Sequence, residues 1–283
     1  MLHLAIGKFN IDVIIKADLI PPTDASYYTD VFEILPGGAA TNYAAAVVKL
    51  GHSAKLLAKV GKSDIALSLM KSLAELGVGL DYVEEVEMPP SAALIFLRDG
   101  GSISMIRRIG SFLALRKEDI MNYLGLFDVI HFASVPPNLV IKDPKAKLVS
   151  YDPGPYAGEI SNVDVDVLFV NKKEYESIKD RIDAKYIVIK MGDKGARVIT
   201  EGKECYAEAY RVEKVVDTTG AGDVFDAAFN YELIETNGDI KKALQFAVVS
   251  AGLKVKRLGG ISSPYLNEVL EALHAYEPKV ECY

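Results

Sequence analysis

The chain has 283 residues, half of them apolar, and a formal net charge of −7 with acidic and basic residues interspersed. That length can bury a large core, as one big unit or two small ones. The acidic balance argues against nucleic acid or an anionic membrane as the main partner, without forbidding a local basic pocket for phosphates.

Two cysteines, Cys205 and Cys282, lie far apart, and neither belongs to a CxxC pair. A disulfide framework or a cysteine zinc site is not expected; two reduced thiols in a cytosolic protein are. The chain opens on the apolar run "LHLAIG" without a basic n-region or a long h-region, so it is not read as a signal peptide. No stretch reaches the ~18 apolar residues that span a bilayer. A soluble, cytoplasmic protein with no membrane partner is expected.

Short apolar runs then alternate with longer helical patterns, with no internal repeat. Strands are predicted at 2–7, 54–60, 128–133, 147–151, 166–170, 186–191 and 196–200. Most are almost wholly apolar, as for strands covered on both faces of a parallel sheet. Helices are predicted at 40–50, 65–76, 117–123, 172–178, 222–234, 240–255 and 267–275. This alternation predicts an α/β protein built on a doubly wound, mostly parallel sheet. Four further strands break the pattern. Segments 11–16 and 28–35 flank "ADLIPPTDAS", and segments 92–98 and 103–108 flank the turn signal "DGG". They are expected to form a small separate antiparallel sheet, a lid over the strand ends where α/β folds place ligands. The chain is read as one unit of residues 1–283, with the lid drawn from about 11–35 and 91–108.

The most specific motif is "VVDTTGAGDVFDAAF" at 215–229. Asp217 and two threonines precede Gly220, Ala221 and Gly222, and a helix begins with Asp223. Backbone N–H groups are unpaired at a helix start, the dipole is positive there, and small residues let a phosphate approach. Residues 220–223 would form an anion hole for phosphoryl transfer, and Asp223 would accept a proton from an attacking hydroxyl. A plain helix start with glycine for the turn explains the same residues. In "EILPGGAATNYAAAVVKLG", Gly37 and Gly38 precede an alanine-rich helix containing Asn42. That is a backbone a ligand can touch and an amide for hydroxyls, or a tight turn before a closely packed helix. Asn10 and Asp12 share one face if their segment is extended, and would suit sugar hydroxyls or be ordinary loop polars. Asn171 and Glu174 stand at N-x-x-E spacing past a strand, which is also a capping box. Gly192 and Gly195 lie between two strands, where a hairpin turn accounts for them too.

Other nucleotide motifs fail. "GKS" at 61–63 is no P-loop, because Leu56 stands where its first glycine belongs. "GKFNID" after the first strand is not GxGxxG. His3, His52, His131 and His274 have no metal-ligand spacing and read as structural or exposed.

In this order the motifs resemble the ribokinase-like (PfkB) carbohydrate kinase family. Both hallmark regions, "PGGAATNYAAAVVKLG" and "DTTGAGDVFDAAF", are present, and the resemblance spans nearly the whole chain. It implies a parallel sheet with a β lid, Mg²⁺, and ATP as phosphate donor. It also implies Asp223 as base, Gly220, Ala221 and Gly222 as anion hole, and Asn10, Asp12, Gly37, Gly38 and Asn42 as sugar-binding residues. Asn171 and Glu174 would order phosphate and Mg²⁺ through water, and Gly192 would meet a nucleotide phosphate. Lys190 stands where many members have Thr, which leaves its contact with phosphate open. Members activated by K⁺ use positions that correspond to Asp217, Thr219, Lys254, Arg257, Gly259 and Ser263, the basic ones through backbone carbonyls. "HFASVPP" lacks the acid of ribokinase proper, while the Asp of "SYDPGPY" resembles fructokinases, nucleoside kinases and ketodeoxygluconate kinases, without the Asn-x-Arg that often follows in the latter. Arg107 and Arg108 on the lid would hold an acidic substrate or form an exposed basic strand. The reading is therefore an ATP-dependent sugar kinase. A nucleoside kinase is the alternative, and a non-catalytic sensor, which gains nothing from Asp223, is a third. The lid strands would also allow a homodimer, as in some relatives.

Overall fold

The computed structural model describes residues 1–179, 182 and 184–283. Among these the larger sheet has ten strands. They are β1 (Leu2–Gly7), β4 (Ser53–Gly61), β5 (Gly79–Val86), β8 (Val129–Ala133), β9 (Leu148–Asp152), β10 (Val165–Asn171), β11 (Ala184–Lys190), β12 (Ala196–Thr200), β13 (Lys203–Ala207) and β14 (Val280–Cys282). The order is β14-β13-β12-β11-β10-β9-β8-β1-β4-β5. From β11 to β5 every neighbouring pair is parallel; β12, β13 and β14 add on antiparallel. The chain order reverses at β1, which lies between β4 and β8 and opens the crevice where α/β sheets take ligands.

Helices α1 (Ala39–Lys49), α2 (Asp64–Glu75), α3 (Lys117–Met121), α4 (Lys172–Ile178), α5 (Ala221–Glu235), α6 (Ile240–Lys254) and α7 (Leu266–Ala275) fall within two residues of their predicted bounds. On α1, Ala40, Ala44, Ala45 and Ala46 are fully buried, in one cluster with Ala5 of β1 and Val224 and Ala227 of α5. Single methyl groups let the three elements approach closely, which brings the starts of α1 and α5 together. None of the helices is long and apolar enough to cross a membrane, among the described residues.

Three strands escaped the sequence reading. β5, "GLDYVEEV", is the sheet edge, and its acidic residues are at least half-exposed. β13 and β14 are short strands that pair with each other, and Cys205 and Cys282 are direct partners with Cα atoms 4.1 Å apart. They form a disulfide, which corrects the expectation of two free thiols. A separation of 77 residues hid the pairing, because only the sheet brings the two ends together.

The second sheet holds β2 (Asn10–Lys16), β3 (Phe32–Gly37), β6 (Ala92–Leu97) and β7 (Ile103–Arg108), in the order β3-β2-β6-β7. All four interrupting segments lie in it. Two details differ from expectation. The strand expected at 28–35 begins only at Phe32, with Tyr28 fully exposed before it. The central pair, β2 with β6, is parallel, because a long excursion through α1 and α2 separates them rather than a hairpin. One face carries the row Leu35, Asp12, Ala93 and Arg107; the other carries Pro36, Ile11, Ala92 and Arg108.

Closing a ring of this length stabilises a fold by roughly 4 kcal/mol in the chain-entropy account. Thiol titration of the unreduced, denatured protein should therefore find no free cysteine, and Cys282→Ser should lower the melting temperature. Two reactive thiols in that titration would refute the bond.

Candidate active site

The start of α5 organises the site. Gly220 caps the helix with φ 75°, a left-handed conformation, and a Cβ there would stand 2.8 Å from the Gly260 carbonyl oxygen. Ala221 N donates to Thr218 O at 3.2 Å. The amides of Gly222 and Asp223 have no backbone acceptor among the described residues, so they point outward from the positive end of the helix.

Two cavities meet at this helix start. The larger, ≈ 610 Å³, is bordered by Ala221, Gly222, Lys190, Gly192, Gly195 and the apolar side chains of Val212, Phe225 and Val248. The smaller, ≈ 440 Å³, lies under the inner face of the lid, bordered by Gly220, Asp223, Asn10, Asp12, Gly38, Asn42, Lys8 and Arg107. Thr218 borders both. Its backbone and hydroxyl bond the Gly101 carbonyl at the tip of the β6–β7 turn, so the lid rests on the same loop.

In the smaller cavity Asn42 Nδ2 donates to Asp223 Oδ2 at 2.7 Å. Burial raises the Asp223 carboxyl to about 6, with the Asn42 bond pulling the other way. Asp12 is raised to about 7, again by burial, against the pull of Asn10 and Arg107. Asp12 Oδ1 and Asn42 Oδ1 are buried without a partner among the described residues, the latter against Gly260. Gly37 does not border the cavity. It lies behind Asp12, where a Cβ would come within 1.9 Å of Oδ2. Of the two lid arginines, Arg107 faces the cavity, while Arg108 turns out and donates to Pro90 O at 2.9 Å. Strand alternation separates them, and Arg108 is not brought to the site. Lys8, which the sequence reading missed, lies 4.6 Å above the Phe112 ring; burial, then Arg107, lowers its ammonium to about 8.

On the other side, Lys190 is clamped between Asp152 Oδ2 at 2.6 Å and Asp226 at 2.9 and 3.0 Å. Burial works against its charge, but the two carboxylates outweigh it and hold the ammonium protonated. Burial drives Asp226 well up, while Lys190 keeps Asp152 down against its own burial. A Cβ on Gly222 would stand 3.3 Å from Lys190 Nζ, so this charge lies beside the free amides. Asp152 and Asp226 were not singled out as site residues, although both stand inside quoted motifs. Gly192 has φ 60° and open space around it; Gly195 has φ 89° and backs onto the Ala207 carbonyl. Asn171 and Glu174 do form the capping box: Glu174 N donates to Asn171 Oδ1 at 3.0 Å and Asn171 N to Glu174 Oε2 at 2.8 Å. Glu174 also borders the lid cavity.

Behind the helix start, Asp217 is fully buried. Its Oδ1 accepts from Thr219 N and its Oδ2 from Gly259 N, each at 2.8 Å. Lys254, also fully buried, lies with its Nζ 4.0 Å from Asp217 Oδ2; burial lowers this ammonium to about 8, against the pull of Asp217 and Asp223.

A doubly wound sheet with a lid, and two cavities meeting at one helix start, have the architecture of a ribokinase-like small-molecule kinase. The family model described as pfkB family carbohydrate kinase matches residues 2–266, and the chain belongs to that family. It is a kinase. The chain is 29% identical to an ATP-dependent ribose-1-phosphate kinase of Halopiger xanaduensis, over 94% of this chain and 96% of the relative. It is 25% identical to a nucleoside kinase of Methanocaldococcus jannaschii, over 96% of each chain. The structure of Arabidopsis thaliana ribokinase complexed with ribose and ATP superimposes with a TM-score of 0.79 at 25% identity, covering 96% of this chain and 98% of that one.

Because the Asn42 bond favours ionised Asp223, Asn42→Ala should move the Asp223 carboxyl above its value of about 6. Carboxyl ¹³C NMR titration reads this directly; an unchanged or lower midpoint would mean that the bond does not form in solution.

Proposed function

We propose that the protein transfers the terminal phosphoryl group of ATP to a hydroxyl of a small sugar, with Asp223 as general base and residues 220–223 as anion hole. The observation that carries this reading is the position of Asp223. It borders the cavity under the lid, while Ala221 and Gly222, the residues just before it, border the larger cavity.

ATP would occupy the larger cavity. Val212, Phe225 and Val248 offer its base apolar walls, and Gly192, with open space around it, leaves backbone open to its phosphates. The Gly222 and Asp223 amides and the Lys190 ammonium would face the transferring group, where negative charge concentrates. The sugar would lie under the lid against Asn10, Asp12 and Asn42. Its reacting hydroxyl would donate to Asp223. As that oxygen bonds to phosphorus and the bond from phosphorus to the ADP oxygen breaks, Asp223 takes the proton. The transition state is loose, so holding the two cavities' contents in line matters as much as proton removal. The described residues bordering the lid cavity include no aromatic ring on which a nucleobase would stack, which supports a sugar over a nucleoside.

Among the described residues no group of three His, Cys, Asp or Glu could hold a metal ion. Mg²⁺ that accompanies a nucleotide needs only one or two carboxylates, with phosphates and water completing its shell. Glu174, a half-buried carboxylate at the cavity edge, fits that need, with Asn171 beside it. Mg²⁺ there would neutralise phosphate charge.

A second reading is favoured by Lys8 and Arg107, two cations bordering one small cavity. They would suit an acceptor that already carries a phosphate, and the Halopiger relative is named for such a substrate. In a panel of ribose, ribose 1-phosphate and nucleosides, Arg107→Ala should then raise KM for the phosphorylated sugar about tenfold or more, the loss of one charge-assisted hydrogen bond. A KM that rises equally for ribose would assign Arg107 to the sugar ring instead.

For the chemical step, Asp223→Asn should cut single-turnover transfer by about 10²–10⁴. Nucleotide affinity and melting temperature should hold, because Asn keeps the shape and one acceptor. The wild-type rate should fall as pH drops through about 6, where Asp223 takes up its proton. Near wild-type transfer by a folded Asp223→Asn protein would place the base elsewhere.

A further inference from the structure

The positions that correspond to K⁺ ligands in cation-activated relatives do come together here, but five of their backbone carbonyls are taken. Lys254 Nζ donates to Asp217 O at 3.0 Å and to Arg257 O at 3.2 Å. Lys254 O accepts from Arg257 N at 2.9 Å, and Gly259 O accepts from Ser262 N at 3.2 Å and Ser262 Oγ at 2.6 Å. Ser263 O accepts from Lys49 Nζ at 3.3 Å and from an Arg257 guanidinium nitrogen at 3.2 Å. Every one of these five backbone carbonyls already faces a donor. The centre of the group holds an ammonium with no exposed surface. K⁺ does not fit these residues as they stand.

We propose that Lys254 is a built-in monovalent cation, which holds the loop before the anion hole in place of K⁺ and makes the kinase independent of added K⁺. The inference rests on the kinase reading and deepens it. The ammonium bridges the two segments that a bound ion would join. One is the 217–220 loop, which ends at the helix cap; the other is the 257–263 turn, which supplies Gly260 against Asn42 and Gly220. Its charge balances Asp217, whose carboxylate ties the same two segments through the Thr219 and Gly259 amides. A tethered ammonium meets three needs of the position: one positive charge, several oxygen acceptors and a place closed to water. A second cation beside it would meet like-charge repulsion that burial strengthens. Lys254 touches neither cavity, so it is a positioning residue. Thr219 Oγ1 and Ser263 Oγ are buried without partners among the described residues, and they are the only candidate-site side-chain oxygens left for an ion.

The test compares K⁺, Na⁺ and tetramethylammonium at matched ionic strength, with turnover and melting temperature both read. The wild-type enzyme should turn over equally in all three, with the same melting temperature. Lys254→Ala should lose about tenfold or more in tetramethylammonium, a smaller effect than losing a direct oxyanion donor. It should regain turnover and melting temperature in K⁺, which can enter the space vacated among the freed carbonyls. Lys254→Met, which keeps the bulk of the stem without its charge, should lose turnover without rescue, and it carries the test if the alanine variant does not fold. Stimulation of the wild type by K⁺ of about threefold or more, or a wild-type melting temperature raised by K⁺ alone, would put an ion on the Thr219 and Ser263 hydroxyls and overturn the proposal. So would full turnover of either variant in tetramethylammonium. Absence of phosphoryl transfer by the wild type in every salt would instead count against the kinase reading.

Discussion

Asp217 is a carboxylate with no exposed surface, and its two oxygens fasten two stretches of chain that are 42 residues apart. One stretch runs into the helix whose first amides face both cavities; the other turns behind Asn42. A buried carboxylate is tolerated only when it is hydrogen-bonded and its charge is balanced. Two backbone amides and the Lys254 ammonium meet that condition. The loops, the cap at Gly220 and the aim of Asp223 all follow from this one arrangement. Glycine at 220 follows as well, because the Gly260 backbone comes too close for a side chain there, while a side chain at 260 would run into Asn42.

Charge is distributed unevenly across the site. Beside the larger cavity one ammonium, Lys190, sits between Asp152 and Asp226, and burial pushes the Asp226 carboxyl well up. The cavity under the lid holds Asp12 and Asp223, both raised by burial, together with Lys8 and Arg107. A carboxyl near 6 is largely ionised at neutral pH yet is a stronger base than a free aspartate, which suits proton acceptance. The closeness of Asp12 to Asp223 contributes to the rise of Asp12. A bound sugar would separate and solvate the two.

Much of this was legible in the sequence, for identifiable reasons. Strands covered on both faces are apolar throughout, so β1, β8, β9, β10 and β11 stand out. Helix bounds followed from caps and periodicity. The catalytic candidates were visible because a phosphate site at a helix start needs small residues in one contiguous run. What escaped was relational. Arg107 and Arg108 differ only in the face of a strand, and adjacency in sequence does not say which face is inward. Lys190 was visible, but its clamp was not, because Asp152 and Asp226 are 38 and 36 residues away in sequence. Lys254 was read as a donor of its carbonyl; that its own ammonium returns to the centre depends on where α6 ends in space.

The disulfide between Cys205 and Cys282 makes one large covalent ring of the chain that lies between them. That ring contains Asp217, the whole of α5, Lys254 and the turn that carries Gly260. Even when every hydrogen bond and packed surface has come apart, Asp217 and Gly259 cannot drift away from each other as they would on an open chain. Bringing them back together costs less entropy, because both belong to a loop whose ends are already joined. An oxidised molecule that loses its fold transiently therefore keeps the two segments that Asp217 ties within reach of each other. In a reduced molecule they are joined only by the 42-residue separation of an open chain.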